Sequence, residues 1–322
     1  MRVLIVTNMY PSAARPELGS FVADQVAALR RIPEIELELF AFTPGGAVAY
    51  PRAAAGLARR RLARRRRAVT RRGDRRPFDV VHAHFGLTLW PALAAPGRAR
   101  AVTLHGTDLA HPRSRRITLA GLRFIDLIGV VSEALARELA PSATAGARVA
   151  VLPCGVDTTR FAPIGRRQAR TALGLAPDQP YLLFPADPAR PEKRHDLALS
   201  LARRHEVELL TLGHVSPAEV PLWVNAANAV LVPSDREGFG LAVLEALACD
   251  VPVLATAVGN HAEALAGVTG TYCGPFDQPR WDQAQTPHVL AADPRVDGRP
   301  RAQEFSTDRM AARLVDAWRA LL

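Results

Sequence analysis

Lysine is almost missing from this chain. Of its 41 basic side chains only Lys193 is a lysine; the other forty are arginines. Where arginine fills nearly every basic position the exception is informative, because a planar guanidinium does not replace a compact ammonium at a site that needs a point charge. Cysteine is scarce too. Cys154, Cys249 and Cys273 lie far apart, and an odd, widely spaced set neither builds a disulfide framework nor shows metal-ligand spacing, so they read as buried or incidental thiols. No apolar run approaches the roughly 18 residues of a membrane span. The opening MRVLIVTNMY has one early arginine and a short apolar run. It reads as a buried first strand rather than a signal peptide, and a cytoplasmic protein is expected.

What is present is length and alternation. At 322 residues the chain has room for two domains of about 150 residues. Short apolar runs alternate with amphipathic stretches, the pattern of parallel α/β sheets. Strands are expected at 2–7, 35–42, 79–83, 101–105, 127–132 and 148–153 for one sheet, and at 181–186, 207–213, 229–234, 252–258 and 270–273 for a second. A polar stretch rich in glycine and proline separates the two series, which puts a boundary near Gly155. Open α/β sheets bind ligands beyond the carboxyl ends of their strands. There the first sheet offers Thr7, Asn8, His82, His84, His105 and Ser132, and the second Asp187, Gly213, His214 and Ser234. If the two edges face each other, the cleft between the domains is the active site.

The net charge of +10 is local. Arg52 to Arg76 holds twelve arginines and one acid, Asp74, and so carries +11, leaving the rest of the chain at −1. Alanine, leucine and arginine favour a helix here, with a thin apolar seam expected at Ala55, Ala58, Leu62 and Val69. Such a helix fits a solvated face in an arginine-rich protein, an anionic membrane surface, or a polyanion. Nucleic acid is disfavoured, since no zinc-finger spacing, RNP-like strand or interleaved aromatic accompanies the arginines.

The most informative stretch is PSDREGFGLAVLEALACDVPVLAT, from Pro233 to Thr256. After a strand, Glu237 precedes Gly238, Phe239 and Gly240, and a helix beginning near Gly240 turns unpaired amides toward that loop, an anion site. Two glycines let a ligand approach the backbone, as a phosphate requires. Glu245, eight residues after Glu237 and inside the helix, can accept two hydrogen bonds from a vicinal diol such as ribose. One acid before an amphipathic helix would be unremarkable; two acids, two glycines and a following strand are a pattern.

These residues resemble those of a known family. EGFGLAVLE matches the Glu, seven residues, Glu motif of retaining glycosyltransferases of the GT-B fold, and the chain is similar in order to glycosyltransferase family 4. The pieces are TNMYP…GSFVADQVAAL at 7–29, VVHAHFGLT at 80–88, TLHGTDL at 103–109, VVSEALA at 130–136, VLPCGVDTTRFAP at 151–163 and RPEKRHDLAL at 190–199. The resemblance implies two Rossmann-like, doubly wound parallel-sheet domains facing a central cleft. Residues 1–154 would form the acceptor-side domain and 155–305 the nucleotide-sugar domain, with 306–322 a terminal helix crossing back to the first. It implies that Glu237 faces the donor sugar, that the backbone of Gly238, Phe239, Gly240 and Leu241 holds sugar and phosphate, that Glu245 binds ribose, and that Lys193 is the diphosphate lysine. His105 would stand beside the donor sugar near the reacting carbon, and Gly19 at a turn approaching the phosphates. His105, Lys193 and Glu237 are thus the catalytic candidates. Neither a metal nor a cofactor is called for.

His82 and His84 flank Ala83 at a strand end and are expected on opposite faces. A metal pair is then disfavoured, and His84 is favoured as an acceptor-side residue. Asp108 is the other acceptor-side candidate, and it either orients His105 or caps the following segment. The family often has an arginine five residues before the lysine; here that position is Pro188, with Arg190 or Arg194 as substitutes. Asp250 and Asn260 stand where glycine is common, and Asp250 is expected to change a turn. His261 reads as a polar helix start. The expected activity is metal-independent, retaining transfer from a UDP- or GDP-sugar to a hydroxyl of a carbohydrate, lipid or small molecule. The alternative is a silent nucleotide-sugar-binding protein, with a peripheral place at the inner membrane face for the basic helix.

Overall fold

The computed structural model describes residues 1–70, 77–144, 146–213 and 215–322, with only the backbone of 61–70. The chain divides into two compact units, Met1–Pro153 with Met310–Leu322, and Cys154–Arg309. The first unit holds six strands, β1 Arg2–Thr7, β2 Glu36–Ala41, β3 Phe78–His84, β4 Gly97–Leu104, β5 Leu127–Val130 and β6 Arg148–Val151. They form one parallel sheet in the order β2-β1-β3-β4-β5-β6. The second unit holds β7 Tyr181–Phe184, β8 Glu208–Thr211, β9 Ala229–Val232, β10 Val253–Ala255 and β11 Tyr272–Cys273. These are parallel too, in the order β11-β10-β9-β7-β8. Each expected strand is present; the central ones, covered on both faces, are continuous apolar runs that flanking turns delimit, whereas the edge strands β2 and β6 are only partly buried.

Side chains two apart share a face of a strand. Val3 and Ile5 of β1 and Val80 of β3 accordingly meet one apolar cluster with Val26 and Leu29 of the helix Ser20–Arg30 and with Leu314 and Trp318 of the helix Thr307–Arg319. In the second unit Leu182, Phe184, Leu231 and Leu254 meet Leu201 and Trp281 in the same way. The three cysteines are free thiols, Cys154 and Cys249 buried. Among the described residues no helix is long and apolar enough to cross a membrane.

The basic segment is helical from Gly46 to Thr70; residues 71–76 of the expected helix lie outside the described residues, as does His214. Its buried positions are Ala53 and Leu57, one turn apart, whereas Ala55 is exposed. Of the expected seam Ala55 is contradicted, Ala58 is partly buried, and the side chains of Leu62 and Val69 lie outside the described part of the structure; Phe40 sets the buried side by packing at Gly56 and under Arg60, whose guanidinium lies 4.8 Å from the ring centre. The expectation that Asp250 changes its turn also fails. Asp250 takes the left-handed conformation at φ 56°, and its Oδ1 accepts from the amides of Gly298, 3.1 Å, and Arg299, 2.8 Å. The side chain thus offsets a strain that glycine would not incur.

Asp250→Ala should keep the strain and lose both hydrogen bonds, lowering stability by about 2–3 kcal/mol, whereas Asp250→Gly relieves the strain and should lose about 1 kcal/mol. Urea unfolding of both variants checks this; an equal loss in the two would contradict it.

Candidate functional site

In the second unit two loops meet at the carboxyl edge of the sheet. One leaves β7 and contains the short turn Pro191–Lys193; the other leaves β9 and runs through Glu237 into the helix Leu241–Ala248. The Asp235 amide donates to the Glu192 carbonyl at 2.9 Å and ties them together. Lys193 Nζ donates to Glu237 Oε1 at 2.6 Å and to Oε2 at 2.7 Å. Ser234 Oγ donates to Oε1 at 2.8 Å, and Thr256 Oγ1 donates to the Ser234 carbonyl at 2.6 Å. The lysine and glutamate side chains are only 14% and 11% exposed. Both carboxylate oxygens are therefore engaged, and the ammonium has committed two of its three protons.

The helix after this loop starts at Gly240, φ 102°, with no side-chain cap on its first amides. A Cβ on Gly240 would lie 2.2 Å from His261 Nε2. The residue is glycine because of its backbone angle and because this imidazole packs beneath it. His261 is fully buried, and its Nδ1 lies 2.8 Å from the Thr256 carbonyl. A carbonyl only accepts, so the proton is on Nδ1, and Nε2 has no hydrogen-bond partner. Burial first, with the Lys193 charge adding, lowers its pKa against the pull of Glu237. His261 does open a helix, His261–Leu265, but its side chain is a buried core group supporting the loop.

The other donor-side candidates are spread around this pair. Gly238 and Leu241 are partly exposed and flank Phe239, whose ring is buried 6.3 Å from that of Phe305 and whose carbonyl accepts from Asn260. Phe239 can therefore offer a ligand only backbone. Glu245 is partly exposed on the helix. Arg190 pairs with Glu192 at 2.7 Å, and Arg194 with Asp196 at 2.8 Å and Asp235 at 3.1 Å. Both arginines offered as substitutes for the one missing at Pro188 are held by neighbouring carboxylates.

In the first unit the expected opposition of His82 and His84 is wrong. Two residues apart in β3, they share a face, and their rings stack at 5.0 Å. The Trp318 indole, a donor only, gives its proton to His82 Nδ1 at 2.8 Å. His82 must then be neutral with its proton on Nε2, which donates to Thr103 Oγ1 at 2.8 Å. His84 Nδ1 lies 3.1 Å from His105 Nε2, and His84 Nε2 is buried without a partner. An orphaned N–H is rarer than an orphaned acceptor, which places the His84 proton on Nδ1, donated to His105. His84 is 1% exposed, and the partly exposed ring beside it is that of His105. Burial lowers all three pKa values, that of His84 to about 3.

Asp108, also buried, accepts from the backbone amides of Gly106 at 2.8 Å and of His105 and Gly86 at 3.1 Å each. It braces the two loops that follow β3 and β4 and does not face outward as an acceptor-side group. Gly19, φ 68°, precedes the helix Ser20–Arg30, and a Cβ there would lie 2.4 Å from the Met9 backbone.

Two parallel α/β units with this loop-and-helix geometry define the GT-B class of glycosyltransferase fold. The sucrose-phosphate synthase of Thermosynechococcus elongatus superposes with a TM-score of 0.71 at 18% identity, covering 99% of this chain and 98% of that one. HepE of Anabaena, solved in complex with UDP, gives 0.68 at 15% identity, covering 99% and 100%. The model of Glycosyltransferase Family 4 matches residues 6–160, and that of Glycosyl transferases group 1 matches 187–283. A D-inositol 3-phosphate glycosyltransferase of Actinosynnema mirum is 30% identical over 306 residues, 75% of this chain and 72% of the relative. The chain belongs to the family 4, group 1 glycosyltransferases and is an enzyme of the hexosyltransferase type.

A histidine kept neutral in the fold but free to protonate when unfolded makes the unfolded chain bind more protons between its two pKa values. Stability should therefore be full above about pH 6.5 and fall as pH drops toward 3, by up to about 1.4 kcal/mol per pH unit for His84. Urea midpoints between pH 7.5 and 5 should show a shallower fall for His84→Leu than for the wild type; parallel curves would rule the assignment out.

Proposed function

We propose that this enzyme is a retaining glycosyltransferase that moves a sugar from a nucleotide-diphosphate donor, a UDP- or GDP-sugar, to an acceptor hydroxyl without a metal ion. The observation that carries this reading is the chain's single lysine, oriented by Glu237 and Ser234 beside an uncapped helix N-terminus. Breaking the sugar–phosphate bond puts negative charge on the departing diphosphate. The remaining proton of Lys193 and the first amides after Gly240 are the groups that stabilise it. HepE, which shares the fold, was solved with UDP and with UDP-glucose, which supports a UDP-sugar as donor.

Other roles follow the same division. Glu245 receives the ribose diol, the backbone from Gly238 to Leu241 holds sugar and phosphate, and Gly19 lets a turn approach the phosphates. His105, with its proton on Nδ1, donates to the donor sugar. Glu237 is a poor nucleophile because both oxygens are already bonded. Retention is better served by front-face attack. The acceptor oxygen bonds to the anomeric carbon as the phosphate oxygen leaves, and the acceptor proton passes to that phosphate. Family membership favours transfer over silent binding. The arginines of the helix Gly46–Thr70 suit an anionic surface.

A panel of UDP-, GDP-, ADP- and dTDP-sugars followed by proton NMR with excess chelator is the test. The expected result is sugar released or transferred with the donor's anomeric configuration, at a rate within about twofold of that without chelator. An inverted anomer, or activity abolished by chelator and restored by a divalent cation, would contradict the mechanism.

A further inference from the structure

We propose that an open apolar pocket in the first unit receives an alkyl group of the acceptor, so that the acceptor is an amphiphile with an anionic head. This rests on the transferase reading above and names its acceptor class. The pocket holds about 690 Å³, within the range of small-molecule sites. Three segments leaving β2, β3 and β4 build it. The helix Gly46–Thr70, after β2, gives Tyr50 and Ala54; the segment after β3 gives Leu87 and Trp90; and the helix Pro112–Leu122, after β4, gives Ile117. The pocket therefore lies at the carboxyl edge of the sheet, where β3 ends in His84 and β4 leads into His105.

Its walls are mostly apolar, with His111, Arg113 and Ser114 the polar members of the lining besides Tyr50 and Trp90. Tyr50 Oη accepts from Asn8 Nδ2 at 3.2 Å, and Trp90 Nε1 donates to the Ile117 carbonyl at 3.2 Å. The rings and aliphatic faces remain, together with the Tyr50 hydroxyl proton. Ile117 is 47% exposed there, and Val48, 59% exposed, lines an adjoining hollow that shares Gly45 and Gly46. Contiguous exposed apolar surface of this kind marks a binding site. Charge selects the head. Arg113 lines the pocket and Arg52 the hollow, and among the described residues no carboxylate lines either. A wholly polar acceptor, such as the inositol phosphate in the names of curated relatives, would leave these walls in water.

Calorimetric titration of the full chain with octyl phosphate, with ethyl phosphate as the short-chain control, tests the pocket. The thermal shift given by UDP is measured in parallel. Octyl phosphate should bind at least tenfold more tightly than ethyl phosphate. Ile117→Asp, at an exposed position, and Ala54→Trp, which fills the space, should each weaken it at least tenfold and leave the UDP shift unchanged. Equal binding of the two phosphates, or octyl phosphate binding unaffected by both variants, would overturn the pocket. A wild type that binds octyl phosphate in the pocket but shows no UDP shift would overturn the donor reading, and with it the acceptor role.

Discussion

An ammonium and a carboxylate that have both lost most of their water recover the cost only through close, well-aligned partners. Lys193 and Glu237 have them. The lysine reaches both oxygens of one carboxylate, a hydroxyl takes the remaining direction, and that hydroxyl's own backbone is held by Thr256. Two loops from non-adjacent parts of the chain are thereby fixed relative to each other at the edge of the second sheet. A flexible stem ending in a point charge can make this contact and keep a proton for a phosphate. A planar guanidinium would commit its fork to the carboxylate. In a chain that uses arginine almost everywhere else, this is a physical reason for one lysine. With Pro188 in place of an arginine, and Arg190 and Arg194 each held by acids, the burden on Lys193 increases.

The helix behind this pair is set by side chains that glycines accommodate. Gly240 is required by its angle and by the imidazole of His261, and a Cβ on Gly259 would approach the Phe239 carbonyl to 2.6 Å and Glu237 Cβ to 2.8 Å. At the far end of the same helix Asp250 holds a conformation that glycine adopts more easily and compensates through two amides. The histidines of the first unit follow a similar logic. Trp318, from the last helix, fixes the tautomer of His82, and the stack passes that order to His84 and His105.

Much of this was legible in the residues. All eleven strands lie within a few residues of their expected places, because buried parallel strands write themselves as short apolar runs. The order of motifs also pointed to the glycosyltransferase class. Facing was read less well. The sequence pattern sets His82 and His84 apart although a two-residue step preserves the face, and it turns Ala55 inward because the position of Phe40 against Gly56 is a tertiary fact. His261 was underestimated because no local pattern shows that a side chain turns inward beneath a glycine. Asp250 was expected to alter a turn because its compensating amides lie almost fifty residues later in the chain.

The central claim is that Lys193 answers the diphosphate. The most direct measurement compares the affinities of UDP and uridine for the wild type and for Lys193→Met. The account predicts that UDP binds the wild type far more tightly than uridine does, that the variant loses at least tenfold in UDP affinity, and that uridine binds both alike. A variant that keeps the full advantage of UDP over uridine would contradict it.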